Sequence, residues 1–201
     1  MSDRSETGCD VRLPDGWLPC AERVDSPNFG PRPSGTAIDL IVLHSISLPP
    51  GVYEGDAVTR LFTNQLDWNL HPYFRQIEGL RVSSHFLIRR DGHILQFVSC
   101  LDRAWHAGAS SYCGRDNCND YSIGIELEGL EGDLFEDAQY ASLQELGLVL
   151  MQHFPISHIA GHEHVAPTRK SDPGAGFDWA RLREQLGVNP ACFPAQVQGL
   201  L

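Results

Sequence analysis

The sequence has little positive charge and no long apolar run. It holds 15 lysines and arginines against 26 aspartates and glutamates, a net charge of −11 with neutral histidines. Such an acidic chain repels polyphosphate and anionic lipid, so nucleic acid and membrane surfaces are not its expected partners. No apolar run approaches the roughly 20 residues that span a bilayer. The N-terminal stretch is acidic and has no apolar segment of the secretory type, so we expect a cytoplasmic protein.

Cysteine is also sparse, with six in 201 residues and no CxxC pair. This density is far below that of a disulfide scaffold, so we expect free thiols. Cys113 and Cys118 lie in a loop without two further ligands nearby, which argues against a zinc knuckle. A cysteine nucleophile paired with His106 lacks any feature that would lower the thiol pKa. The motifs HExxH, GxGxxG, GxSxG and the P-loop are absent.

The length and the 42% hydrophobic content fit one globular domain over residues 1–201. Residues 1–36 hold five of the thirteen prolines and are predicted to form an extended arm. Residues 187–201 carry no charge and are predicted to form a tail that either packs or frays.

Apolar periodicity predicts an α/β fold with about five strands and three helices. The strands are expected within 37–44, 83–89, 93–99, 121–129 and 158–160, and the helices within 56–64, 137–153 and 177–186. Glycine, proline and mixed composition predict irregular structure at 65–81, 101–120 and 161–176. A loop as long as 101–120 is usually functional.

Nine histidines are many for this length, and histidine binds metals or transfers protons near neutral pH. Ordinary structural roles are expected for His71, His85, His93, His153 and His158. His44 differs because it ends a buried strand and begins a proline-rich loop, where ligands commonly bind. His162 and His164 precede Asp172 by ten and eight residues in a loop rich in glycine and proline.

This arrangement matches the ligand pattern of catalytic zinc, which combines a histidine from a strand end with a histidine and a carboxylate from a distant loop. The residues alone leave His162 and His164 as alternatives. Two neutral histidines and one carboxylate would leave a charge of +1, which lowers the pKa of bound water toward about 7.

Glu126 and Glu128 share one face of a predicted strand, opposite its isoleucines and Leu127. Either one glutamate is a general base at the metal site, or both face solvent. Lys170 lies two residues before Asp172, so in an extended segment both side chains point the same way. A cation there would suit a developing oxyanion, whereas a lone loop lysine is usually only solvated.

Eight motifs occur in order along the chain: HSISLPPG (44–51), HPYF (71–74), LRVSSHFLIRRDG (80–92), RAWHAG (103–108), CNDYSIGIELEG (118–129), GHEHVAP (161–167), RKSDPG (169–174) and DPGAGFDWARL (172–182). Together they resemble the cytoplasmic 1,6-anhydro-N-acetylmuramyl-L-alanine amidases of the AmpD type. The resemblance covers about residues 12–186, and the wider relatives are phage lysozyme-like amidases and peptidoglycan recognition proteins.

The resemblance implies a mixed central β-sheet flanked by helices (α/β, of the α+β kind) and a zinc amidase. The bond cut would be the amide between the lactyl group of 1,6-anhydro-N-acetylmuramic acid and L-alanine in small muropeptides recycled from the cell wall. No obligate protein partner is implied. The implied residues are the zinc ligands His44, His162 and Asp172, the catalytic Glu126 and Lys170, and the substrate contacts Arg81, Tyr73 and Trp105.

Two positions depart from the family pattern: Ser45 stands where many relatives have asparagine, and Asn117 where a basic residue is common. Both bear on specificity rather than on the chemistry. One alternative is a non-catalytic binder of peptidoglycan fragments, but such proteins typically lack a metal ligand that is present here. Another is the same chemistry on intact cell wall outside the cytoplasm.

Overall fold

A computed structural model of the chain describes residues 12–199. Within them, the strands are β1 (Glu22–Arg23), β2 (Phe29–Gly30), β3 (Leu40–Ile46), β4 (Phe86–Ile88), β5 (Ile94–Gln96), β6 (Arg103–Ala104), β7 (Ser111–Tyr112), β8 (Arg115–Asp116), β9 (Ser122–Glu128) and β10 (His158–Gly161). The helices are α1 (Ala57–Phe62), α2 (Pro72–Gln76), α3 (Asp137–His153), α4 (His162–Val165), α5 (Trp179–Leu186) and α6 (Ala195–Gln198).

The centre of the fold is a six-stranded mixed sheet in the order β1-β5-β4-β9-β3-β10. Strands β4, β9, β3 and β10 run parallel to one another, and β4 and β5 form the antiparallel hairpin that the sequence predicts. The predicted mixed sheet flanked by helices is therefore confirmed. Ligands of such sheets bind at the carboxyl ends of the parallel strands, and β3, β9 and β10 all end at one edge.

Strand β9 is buried on both faces, and its faces differ in composition. Ile123, Ile125 and Leu127 join Leu143, Leu146 and Leu150 of α3 in the largest apolar cluster. The opposite face carries Ser122, Gly124, Glu126 and Glu128. The alternative in which both glutamates face solvent is wrong, because Glu126 and Glu128 are only 7% and 6% exposed.

The predicted strands and helices are present, but several of their ends differ from the prediction. Strand β3 runs to Ile46 and β10 to Gly161, two residues and one residue beyond the predicted ends, whereas α1 and α5 are shorter than predicted. Three segments expected to be irregular contain short elements: α2 lies in 65–81, β6, β7 and β8 lie in 101–120, and α4 lies in 161–176. These elements show no detectable periodicity, because neighbouring parts of the fold rather than a sequence pattern stabilise them.

The described parts of the predicted arm and tail pack against the rest of the molecule. Leu18 joins the main core, and β1 adds to the sheet beside β5. In the tail, Phe193 and Val197 are buried, so the described part of that segment packs. Residues 1–11, 200 and 201 lie outside the described residues, and one domain over 1–201 stays a prediction.

None of the described helices combines the length and apolar character needed to cross a membrane.

Arg32, in the predicted arm, forms hydrogen bonds with the backbone at both ends of the 101–120 segment. Its guanidinium donates to the carbonyls of Asn119 and Asp120 at 3.1 and 2.9 Å. It also donates to the carbonyls of Cys100 and Ser122 at 3.1 and 2.9 Å. Burial lowers the pKa of Arg32 to about 10, so the group remains a cation at neutral pH. Four carbonyls from two chain segments therefore depend on one side chain.

Replacing this guanidinium should destabilise the fold. We expect Arg32→Met to lower the free energy of unfolding by about 2–3 kcal/mol, because several buried carbonyls lose a charged donor. Urea denaturation measures the change. Arg60→Met is the control, since Arg60 makes only an exposed pair with Asp56, worth at most about 0.5 kcal/mol. Equal stability of the two variants would contradict the role of Arg32.

Candidate metal centre and active site

Three donor atoms converge at the carboxyl edge of the sheet. His44 lies near the end of β3, and His162 follows β10 directly as the first residue of α4. Because Gly161 pairs with Leu43 in register, the chain delivers His162 beside His44. Asp172 comes from the loop after α4, and its backbone carbonyl accepts a hydrogen bond from the backbone N–H of Glu163.

The distances among these donors fit one small cation. Nδ1 of His44 lies 2.9 Å from Nδ1 of His162, and Oδ2 of Asp172 lies 3.2 and 3.1 Å from these two nitrogens. Ligands at about 2.0–2.1 Å from a tetrahedral zinc ion stand about 3.3 Å apart. The triangle of donors is therefore close to the size that a zinc ion requires.

The protonation states also suit a divalent cation. Burial, followed by the neighbouring His162, lowers the pKa of His44 to about 4, so His44 is neutral at pH 7. Burial raises the pKa of Asp172, but the two imidazoles of His162 and His44 beside it outweigh this effect and hold that pKa well below its usual range. Nε2 of His162 donates to the carbonyl of Ala107 at 3.1 Å, which leaves Nδ1 of His162 without a proton.

Glu126 stands next to this triangle with an unused oxygen. Its Cα pairs with that of His44 across β9 and β3, so the two side chains share one face of the sheet. Oε2 of Glu126 is buried and has no hydrogen-bond partner among residues 12–199. Burial, then the charge of Asp172, raises the pKa of Glu126 well above its usual value, while Lys170 opposes this shift. The carboxyl group is thus prepared to hold a proton.

A cavity of about 400 Å³ opens onto these groups. Lys170 and Tyr73 line it together with the three donors and Glu126. Arg81 is exposed, and Trp105 is half-buried with its backbone paired to Ser83. Neither Arg81 nor Trp105 is among the described residues that line the cavity, so their substrate contacts stay predictions.

The structure separates His162 from His164, which the residue pattern alone leaves open. His162 points into the donor triangle, whereas Nδ1 of His164 accepts a hydrogen bond from the backbone N–H of Gly161. The ring of His164 packs edge-on against Trp179 with centroids 5.4 Å apart. His164 is therefore held away from the triangle.

Sequence reasoning did not identify a role for His106, which is buried and lines the cavity. Its ring lies against Gly124, where a Cβ atom would come within 2.5 Å of the imidazole. A glycine inside a strand is the signal that a neighbouring group approaches the backbone closely.

The expectation that His85 is a hydrogen-bonded core residue is confirmed, because its Nδ1 accepts from the backbone N–H of Gly124.

Comparison with known proteins gives a consistent picture. The family described as N-acetylmuramoyl-L-alanine amidase matches residues 34–175. The 1,6-anhydro-N-acetylmuramyl-L-alanine amidase AmpD of Citrobacter freundii is 51% identical over 173 residues, which cover 85% of this chain and 92% of the relative. A crystal structure of a selenomethionine AmpD derivative aligns with a TM-score of 0.84 at 50% identity, covering 87% of this chain and 99% of that one.

A more distant structure includes a ligand. The amidase AmiD from E. coli, in complex with the substrate anhydro-N-acetylmuramic acid-L-Ala-D-gamma-Glu-L-Lys, aligns with a TM-score of 0.55 at 27% identity. The alignment covers 79% of this chain and 61% of that chain.

Removing the charge of Asp172 should empty the donor triangle. We expect purified wild-type protein to retain about one zinc ion per chain and Asp172→Asn to retain far less, because the set loses its only anionic donor. Elemental analysis after dialysis measures the content, with Asp116→Asn on β8 as the exposed control. Full zinc occupancy in Asp172→Asn would contradict the assignment.

Proposed function

Because the chain belongs to the N-acetylmuramoyl-L-alanine amidase family, we propose that it is a zinc-dependent member acting on anhydromuropeptides. The amide that it hydrolyses joins the lactyl group of 1,6-anhydro-N-acetylmuramic acid to L-alanine in fragments recycled from the cell wall. The observation that carries the proposal is one cavity containing both the donor triangle and the unpaired Oε2 of Glu126.

The relatives support this substrate class. The Citrobacter protein, named for the anhydro substrate, is similar to this chain over nearly its whole length. The ligand in the AmiD complex is an anhydromuramyl tripeptide. We include in the proposal a cytoplasmic location and action without an obligate protein partner.

His44, His162 and Asp172 would hold the zinc ion, which would supply Lewis-acid polarisation and make bound water more acidic. Glu126 then performs the proton transfers. Its Oε2 accepts a proton from the attacking water as the new C–O bond forms. The same oxygen returns that proton to the alanine nitrogen as the C–N bond breaks, so the products are a free carboxyl group, which keeps the second proton of the water, and a free peptide amine.

Lys170 provides the second charge in the cavity. Lys170 lines the cavity together with Asp172, and its positive charge lowers the pKa of both Glu126 and His44. It stabilises the negative charge that develops on the carbonyl oxygen during attack. The assignment of Tyr73, Arg81 and Trp105 to substrate contact belongs to the same proposal.

The acidic chain also offers cationic groups to an anionic peptide. Arg169 lines the cavity beside Lys170, and its guanidinium donates to the carbonyls of Ala107 and Ala109 at 2.5 and 2.9 Å. These contacts fix the position of the guanidinium. A muropeptide carries free carboxylates. Fixed cations in the cavity bind these carboxylates and offset their repulsion by the net negative charge of the protein.

Glu126→Gln tests the proton-transfer role. Turnover should fall by roughly 10²–10⁴ with zinc content unchanged, because an amide cannot accept the proton. The matched control is Glu128→Gln, since Glu128 is buried on the same face of β9 but receives the backbone N–H of Arg90 instead. Release of free peptide from anhydromuramyl-tripeptide, followed by mass spectrometry, measures both variants. Near wild-type turnover in Glu126→Gln would remove Glu126 from the mechanism.

The same assay separates an enzyme from a binding protein. We expect wild-type protein to release peptide, a chelator to stop release, and added zinc to restore it. Binding of intact anhydromuramyl-tripeptide without hydrolysis, in protein loaded with zinc, would instead support the non-catalytic binder.

A further inference from the structure

A series of buried polar groups connects the metal-facing His44 to the backbone carbonyl of Cys118. Nε2 of His44 lies 2.9 Å from Nδ1 of His106, and Nε2 of His106 lies 3.2 Å from Oγ of Ser122. The Ser122 hydroxyl lies 2.6 Å from the carbonyl of Cys118. His44, His106 and Ser122 are each at most 8% exposed, so water does not replace these contacts.

The direction of each hydrogen bond in this series follows from its last member, the backbone carbonyl of Cys118. A carbonyl oxygen only accepts, so the Ser122 hydroxyl donates its one proton to Cys118. The Ser122 oxygen can then serve His106 only as an acceptor, and Nε2 of His106 must carry a proton.

The next step fixes His44. A second proton on His106 would create a buried cation, and within residues 12–199 no carboxylate lies in a hydrogen bond with its ring. Nδ1 of His106 is therefore bare and accepts from Nε2–H of His44. Each neutral imidazole has one N–H, so Nδ1 of His44 is left unprotonated toward His162 and Asp172.

The position of the His106 ring is fixed as well as its tautomer. The ring occupies the space that a side chain at position 124 would fill. The backbone N–H groups of His106 and Ala107 both donate to Oδ1 of Asn119, at 3.2 and 2.8 Å. Asn119 thus holds the backbone at His106, and the imidazole packs against strand β9.

We propose that His106 is a positioning residue that, backed by Ser122, fixes the tautomer and orientation of His44 for metal binding. The proposal rests on the metal site of the proposed function. Partners of this kind behind a histidine ligand typically contribute 10- to 100-fold in metal affinity. His162 has the simpler version of the arrangement, with the Ala107 carbonyl in the place of His106.

The tautomers are directly observable in the zinc-loaded wild-type protein. Nitrogen-15 NMR of labelled histidine should show His106 protonated at Nε2 and bare at Nδ1, and His44 protonated at Nε2. Protonation of His106 at Nδ1 would overturn the proposal, and this measurement needs no variant to fold.

Variants then test the consequence for zinc affinity. His106→Phe keeps a ring of similar shape but removes the acceptor, and its zinc dissociation constant should rise 10- to 100-fold in competition with a chromophoric chelator. His106→Asn retains an acceptor oxygen near the Nδ1 position and should recover part of the loss. Ser122→Ala should weaken zinc binding in the same direction while leaving His106 in place.

His85→Phe is the matched control. His85 is fully buried beside His106, with ring centroids 5.7 Å apart, and makes no hydrogen bond to a metal-facing residue. Its substitution should lower thermal stability without changing the zinc dissociation constant. Equal zinc affinity in His106→Phe and wild type would overturn the proposal, as would equal weakening in His85→Phe. Failure of wild-type protein to bind zinc would instead refute the proposed function.

Discussion

The parallel pairing of β3 with β9 on one side and β10 on the other is the constraint on which the site depends. In this register, His44 lies beside Glu126 on one side, and on its other side the end of β10 places His162 next to it. A slip of one residue between β3 and β9 would turn the glutamates toward α3 and the isoleucines toward the cavity. The apolar contacts between β9 and α3 therefore hold the geometry of the proposed active site in place, although none of those side chains is assigned a part in the proposed chemistry.

One face of β9 packs in the apolar core, and the other carries the polar residues of the proposed site. One face is a continuous apolar surface, and the other buries a serine, a glycine and two glutamates, which is costly unless partners or a ligand compensate. Glu128 is compensated by Arg90 and Arg89, and Ser122 by Cys118. Oε2 of Glu126, which has no hydrogen-bond partner in the described part of the chain, lies where the proton transfer is proposed.

Much of this architecture could be predicted from the sequence, because the long strands and helix α3 have clear apolar periods. The spacing of His44, His162 and Asp172 indicated a metal site, and the motifs of a known family separated His162 from His164. The geometric reason was not predictable. Helix α4 has four residues and no period to detect, yet it turns His162 toward the cavity and His164 back toward Trp179. The contact of His106 with His44 joins residues 62 positions apart, and no local pattern encodes it.

We infer that His44, His162 and Asp172 bind one zinc ion at the carboxyl edge of the sheet. Anomalous diffraction at the zinc edge, from crystals of protein dialysed after zinc loading, would locate the ion. We expect one strong peak about 2.0–2.2 Å from Nδ1 of both histidines and from a carboxylate oxygen of Asp172. A peak at another set of residues, or no peak in active protein, would refute this metal site.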